Sequence, residues 1–346
     1  MRARTTFVSL AAVLVTAVAG AVPATAAAPA PGHAANHDSD RPCTPDVSLA
    51  GFSDALDKTY FQGSYVGNLS ALARDSGGRT AALSDRSLLF TLDAQRKPER
   101  VLRLADENGK DLDSEGLVID RDGGYLVTSE TEPSVRRYDR DGKLLGALPV
   151  PDELRVAPAG KAQLNQTFEG LTLLPGGNTL VASMEGALSG DGTDDQGRPL
   201  VRFQTWQRSG GHGEFGLGRQ YAYPVDKTLG VSEVTAADES HLLVLERGFS
   251  ATTGLTVRLY LADLSAARTD AGRPVPKRLL ADLGGCTSPD AHHPTPQPNP
   301  LLDNVEGMTV TGREPDGRLK LLLVSDDNQS TRQVTRLYEL TVRVCD

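Results

Sequence analysis

Three stretches share one plan, and that plan restricts the fold more than composition does. They are DSEGLVIDRDGGYLVTSE (Asp113 to Glu130), NQTFEGLTLLPGGNTLVASMEG (Asn165 to Gly186) and DNVEGMTVTGREPDGRLKLLLVSDDN (Asp303 to Asn328). Each puts Glu-Gly before an apolar run, then a glycine-containing turn, then a second apolar run that ends in an acid. Glu is a poor strand residue, and Gly inside a strand pattern marks close backbone approach. Two further stretches follow the plan with changes. Ser70 stands where the inner Glu is expected in the first, and Val234 replaces the Gly after Glu233 in the fourth.

Between these marks the chain alternates short runs rich in Val, Leu, Thr and Tyr with Asp-Gly, Gly-Gly and Pro turns. Helical periodicity is nearly absent, which predicts many short antiparallel strands. Units of four strands recurring about every 45–70 residues predict an all-β chain, a β-propeller of five four-stranded blades. A sixth blade follows if Thr269 to Asp303 hides a degenerate one. The fifth unit lacks a fourth strand, and DVSLAGFSDAL (Asp46 to Leu56) is expected to supply it and close the ring.

Successive strands of a blade are antiparallel, so the start of the first and the end of the second share a face. That face gathers Glu115, Glu169, Glu233 and Glu306 with Glu130, Glu185, Glu246, Asp326 and Asp327. A ring of carboxylates repels itself, and a hard cation relieves it. Oxygen donors without Cys or His point to Ca²⁺, with Mg²⁺ second. The expected metal ligands are Glu130, Glu169, Glu185, Glu233, Glu306, Asp326 and Asp327. The second strands of units one and four end Asp85-Arg86 and Glu246-Arg247. Guanidinium groups hold phosphate bidentately, so Arg86 and Arg247 are the expected substrate-binding residues. Glu115, Glu169, Glu306 and Arg247 are the expected catalytic ones. The plainer alternative is that these acids cap turns or pair with Arg86, Arg136 and Arg247.

Three functions suit such a face. One is a calcium-dependent phosphoesterase acting on a phosphorylated small molecule. The others are a calcium-dependent lactonase or carboxylesterase, and a binding propeller without catalysis. The common serine-hydrolase and zinc-protease motifs are missing. His292 and His293 lie in PDAHHPTPQPNP and read as a solvated pair; DGTDDQG (Asp191 to Gly197) is a loose calcium-loop match, and Trp206 reads as packing.

Arg2 and Arg4, the apolar stretch from Phe7 to Val22 and Ala24-Thr25-Ala26 form a secretory signal, with cleavage expected near Ala26. Residues 27–45 are expected as a disordered leader and 46–346 as the folded domain of a secreted monomer. The net charge is −9, which disfavours nucleic acid and anionic membranes as partners. Three cysteines in an exported chain suggest one disulfide. The strand order favours Cys43–Cys345 with Cys286 free; Cys43–Cys286 is the rival.

At these residues the chain resembles a known family, the bacterial phytase-like propeller proteins with an esterase-like activity of phytase domain. The resemblance runs from Phe52 to Val344. It is carried by GFSDALDK, SEGLVIDRDGGYLVTSETEPSVRRYDRDG, QTFEGLTL, MEGALSGDGTD, LLVLERGF, NPLLDNVEGM and LVSDDN. It implies a secreted propeller whose repeated Glu and Asp residues carry phosphoesterase chemistry. The six-bladed calcium-dependent propeller phytases match only in general plan.

Overall fold

A computed structural model describes residues 41–344 except 212, 251, 253 and 270–272. The expected signal segment, the leader up to residue 40 and Cys345 lie outside the described residues.

The chain is a β-propeller of five blades of four antiparallel strands each, in chain order in the first four. The inner strands are Leu69–Arg74, Ser114–Ile119, Phe168–Leu173, Gly230–Ala236 and Val305–Arg313. Each neighbours the next, and the fifth neighbours the first, so the ring closes. The fourth strand of the fifth blade is Val47–Ser53, which pairs antiparallel with Leu337–Val342. Among the described residues between 269 and 303 the one strand is Lys277–Asp282, the fourth of the fourth blade, so no sixth blade stands there. The helical content among the described residues is one short α-helix, Leu264–Thr269, and three 3₁₀ turns.

Apolar side chains fill the spaces between blades. Trp206 is fully buried, meets Phe168 edge to face at 5.8 Å and donates its indole N–H to the Pro149 carbonyl at 2.7 Å. Hydroxyls stitch one blade to the next: Ser114 Oγ donates to Ser84 O and Thr128 Oγ1 to Glu169 O, each at 2.7 Å. Pairing buried polar groups in this way avoids a desolvation cost of about 1–3 kcal/mol each.

The structure corrects two expectations about the start of the domain. Arg41 and Pro42 are not part of a disordered leader, because they pair outside Val47–Ser53 as a fifth strand of that sheet. The disulfide is Cys43–Cys286, not Cys43–Cys345. The antiparallel register expected beside Leu337–Val342 is present. But the chain reverses at Cys43 to Asp46, where the Cys43 and Thr44 amides both donate to Val47 O. That hook carries Cys43 away from the chain's far end and toward the fourth blade. There Thr44 Oγ1 bonds Leu280 O at 2.8 Å, and Cys286 follows the blade's last strand and a 3₁₀ turn. The bond spans 243 residues, so the chain-entropy model assigns it roughly 5 kcal/mol. Cys43→Ser is expected to lower the melting temperature by several degrees, and non-reducing peptide mapping should yield a Cys43–Cys286 peptide. An unchanged melting temperature would show that the hydrogen bonds around the hook suffice.

Candidate metal and substrate site on the acidic face

Every inner strand carries a β-bulge at the repeated position. In the second blade, Leu117 faces Val127 and Ser114 faces Ser129, so Glu115 and Gly116 together lie opposite Thr128. The third blade repeats this with Glu169-Gly170, and the fifth has its irregularity at Glu306. A bulge takes a side chain out of the pleat and re-aims it, which is how an acid leaves the strand for the ring. The following glycine then has to meet the next blade. A Cβ on Gly116 would stand 2.4 Å from Glu169 O, and one on Gly170 2.4 Å from Val234 N. The Glu-Gly pair is therefore one device: an acid turned to the channel and a backbone bare enough to close the ring.

The same register sorts the expected ligands. In the fourth blade the bulged residue is Ser232, with Val231 opposite Glu246 and Glu233 opposite Leu245. Ser232 is thus the counterpart of Glu115, and Glu233 stands where the second, third and fifth blades have Gly and the first has Ala71. Its Oε1 accepts from Leu171 N at 3.1 Å and Val234 N at 2.8 Å, and it is not among the cavity-lining residues. At the second-strand ends, the residues after the matching pair are Asp85, Glu130, Glu185, Arg247 and Asp326. Arg247 occupies the fourth blade's acid position. Glu246 lies one residue off and is buried against Lys277, Tyr223 and the Asp226 amide. Asp327 lies one residue beyond Asp326. Its carboxylate takes bonds from Lys58, Tyr65 and the Asn68 amide and ties the ring closure. Glu233 and Asp327, both expected as metal ligands, are thus used up by protein partners.

The others converge. Asp85, Asp113, Glu115, Glu130, Glu169, Glu185, Glu306 and Asp326 line one cavity of about 1470 Å³, with Arg86 and Arg247. Carboxylate oxygens of Asp113, Glu115 and Glu130 lie within 4.8 Å of one another, and so do those of Glu130, Glu169 and Glu185. Glu130 belongs to both groups. Arg247 stands 3.2 Å from Glu306 and 3.9 Å from Glu185, while Asn304 Nδ2 donates to Glu306 at 2.9 Å. Arg86 is largely exposed at the rim, 3.4 Å from Asp85.

Burial above all shifts the carboxyls of Asp85, Glu115, Glu130, Glu169 and Asp326 toward their protonated form. Glu130 and Asp326 are each pushed up to about 8, and Asp85 to about 6 despite the opposing pull of Arg86. Glu115 and Glu169 are raised well above the usual range by burial and then by each other's neighbours, Glu306 and Glu115 foremost. None of the described residues donates a hydrogen bond to either carboxyl. For Arg247, burial opposes the charge, and Glu306, Glu169 and Glu185 outweigh it. Buried acids without donors, crowded within ligand distance, can hold a metal ion.

Asp113 and Asn304 were not expected here. Each lies two residues before an inner Glu, on the same face of an extended chain, a signal present in both D-S-E-G and N-V-E-G. His293 is not solvated. Its Nε2 meets Asp303 Oδ2 at 2.9 Å and it lines the cavity wall. Asp191 and Asp194 are paired with Arg202 and Arg198, so the DGTDDQG loop keeps its acids to itself.

The profile of a family described as Phytase-like, esterase-like activity of phytase, matches residues 64–329. A stretch of 106 residues is 33% identical to an uncharacterized secreted protein of Arthroderma benhamiae, covering 23% of this chain. The chain spans about a fifth of that relative's length, 21%. Two solved structures are similar in fold. A glutaminyl cyclase from Myxococcus xanthus has a TM-score of 0.42 and 16% identity over 87% of this chain and 97% of that one. A gluconolactonase from Xanthomonas campestris has a TM-score of 0.43 and 14% identity over 81% and 74%.

Proposed function

The chain belongs to the phytase-like family, and from that premise we propose that it is a secreted, calcium-dependent hydrolase of phosphoesters working at the acidic face. The observation that supports this most is the pair of carboxylate groups sharing Glu130 with Arg247 beside them. An all-oxygen donor set suits Ca²⁺, with Mg²⁺ second because of its stricter geometry. Asp113, Glu115, Glu130, Glu169 and Glu185 would hold the ion. A bound cation supplies Lewis-acid polarisation of a phosphoryl oxygen and a water of lowered pKa.

In this reading the chain's own residues do the rest. Arg247 presents its guanidinium to the phosphoryl oxygens, and Arg86 meets the anion at the rim. Glu306, held by Arg247 and Asn304, takes the proton of the attacking water as its oxygen bonds phosphorus; the ester P–O bond breaks, and the alcohol leaves with a proton from solvent. Glu115 and Glu169 give up their protons when the cation arrives and so tune the floor's charge. The substrate is a small phosphorylated molecule, and the enzyme works as a monomer. Export suits the disulfide, since such bonds persist in oxidising compartments, and no helix among the described residues is long and apolar enough to cross a membrane.

The test is phosphate release, measured beside carboxylester hydrolysis, with calcium and with EDTA. Calcium-dependent phosphate release supports the reading. Hydrolysis of the carboxylester alone would turn it toward a lactonase or carboxylesterase. Inactivity on both, with calcium still raising the melting temperature, would make this a binding propeller. Arg247→Ala is expected to lower kcat/KM for a phosphomonoester by about 10²-fold, the usual loss for one preorganised charge-stabilising donor. The calcium-induced thermal shift should persist in that variant, because the carboxylate groups around Glu130 remain. Unchanged activity would leave Arg247 a partner of Glu306 and nothing more.

A further inference from the structure

The cavity is far larger than a phosphate needs, and it extends beyond the acid ring along the fourth blade. In the second blade the hairpin strands end at Ser129 and Ser134, level with the acids. In the fourth blade they run on in unbroken register past Glu246 to Ser250 opposite Gly254. Phe249 lies two residues beyond Arg247, on the same face of the strand, with Leu255 directly across. Phe249 is 76% exposed, and both residues line the same cavity as the acids.

A second wall is the segment between Cys286 and Asp303, which brings Pro296 and Pro298 to the cavity. This wall is fixed in place. Arg336 is fully buried and donates to the carbonyls of His292, Pro300 and Leu301 at 2.7–2.8 Å. Asn299 Nδ2 bonds Cys286 O at 2.7 Å, next to the disulfide. The apolar side chains of Phe249, Leu255, Pro296 and Pro298 thus stand among polar ones such as Thr256, Gln297 and Arg258 in the groove that continues from Arg247 along the fourth blade, with the Phe249 ring facing solvent. The cavity lining holds ten acids and four arginines, an excess of acid that suits one anionic group and opposes several.

We propose that the groove receives a planar apolar ring of the substrate: a monophosphate ester of an aryl-type alcohol, its ring against Phe249 and its phosphoryl group at Arg247. This rests on the phosphoesterase reading and names its substrate class. Ring contacts of this kind add about tenfold in affinity beyond simple burial. A multiply phosphorylated polar substrate gains nothing from Phe249 and meets the acidic floor with every further charge.

The test uses binding, so that it does not depend on turnover. Calcium-loaded protein is titrated by calorimetry with phenylphosphonate and with methylphosphonate. The wild type is expected to bind the phenyl compound about tenfold or more tightly than the methyl one. Phe249→Ala should lose that preference through weaker phenylphosphonate binding, and Phe249→Tyr should keep it. Phe249 is exposed, so both variants should melt like the wild type. Equal preference in wild type and Phe249→Ala overturns the proposal, as does no preference in the wild type. Binding of neither ligand overturns it too, and if phosphate is still released from any ester the hydrolase reading survives alone.

Discussion

In EDTA the melting temperature is expected to fall as pH rises from 5 to 9, by on the order of 10 °C. The cause is the acidic cavity. Burial, then neighbouring charge, pushes Glu130 and Asp326 up to about 8 and Asp85 to about 6, and raises Glu115 and Glu169. In the unfolded chain such groups titrate near 4. Between those values the folded protein holds more protons than the unfolded one. Stability then declines with rising pH. The contribution is complete below about pH 4 and is lost as pH passes through about 8. Carboxylates with depressed pKa values, such as Asp226 at about 2 and Asp327, act in the opposite sense. They lose their contribution only below about pH 4, outside this window. Calcium reverses the trend. It binds ionised carboxylates, so its stabilisation grows with pH. Melting curves in EDTA and in calcium should coincide near pH 5 and separate steadily toward pH 9. Parallel curves would mean that the cavity acids are ionised and compensated without a cation.

The fold was legible because its signal is repeated. Five copies of one strand pattern let weak local evidence accumulate, and the closing strand was found because the fifth unit ended one strand short. The acids of the candidate cavity were legible to within one residue. Glu115, Glu169 and Glu306 share a Glu-Gly mark, and the structure puts all three in the cavity. The fourth blade has no such Gly, so its sequence alone sets Glu233 level with the other inner acids. The bulge at Ser232 shifts the frame by one. That single slip misassigns Glu233 and also hides the equivalence of Arg247 with Glu130 and Glu185. Since side chains alternate in direction along a strand, an error of one residue reverses where a side chain points. Asp327 fails for the same reason beside Asp326. Cys43 was misplaced because a strand's register says nothing of the turn before it. His293 was read from composition, and a proline-rich segment reveals nothing of Arg336, which reaches it from 36 or more residues away.

Glu130→Gln is expected to act in opposite directions with and without metal, which separates a ligand from a merely buried acid. Without metal, Glu130 faces Glu185, Asp113 and Glu306 from a mostly buried position. Replacing it with a neutral isostere removes both the burial cost of its charge and its repulsion of those neighbours. The metal-free variant should therefore melt several degrees higher than the wild type at pH 8. With calcium the order inverts. Glu130 is the one acid common to both carboxylate groups, so its loss weakens each of them. The calcium-induced shift should shrink to a small fraction of the wild-type value, and calcium-dependent turnover should fall with it. Glu169→Gln, which touches only one of the two groups, should lose less of the shift. Glu153→Gln is the control, because Glu153 lies outside the cavity and its side chain accepts from Gln220 Nε2. It should leave both melting curves where they were. If Glu130→Gln lowers the melting temperature in EDTA as well, Glu130 is a structural hydrogen-bond partner and the cation belongs elsewhere. If it raises the temperature in both conditions, the crowded acids are relieved without any cation, and the calcium reading of this face fails.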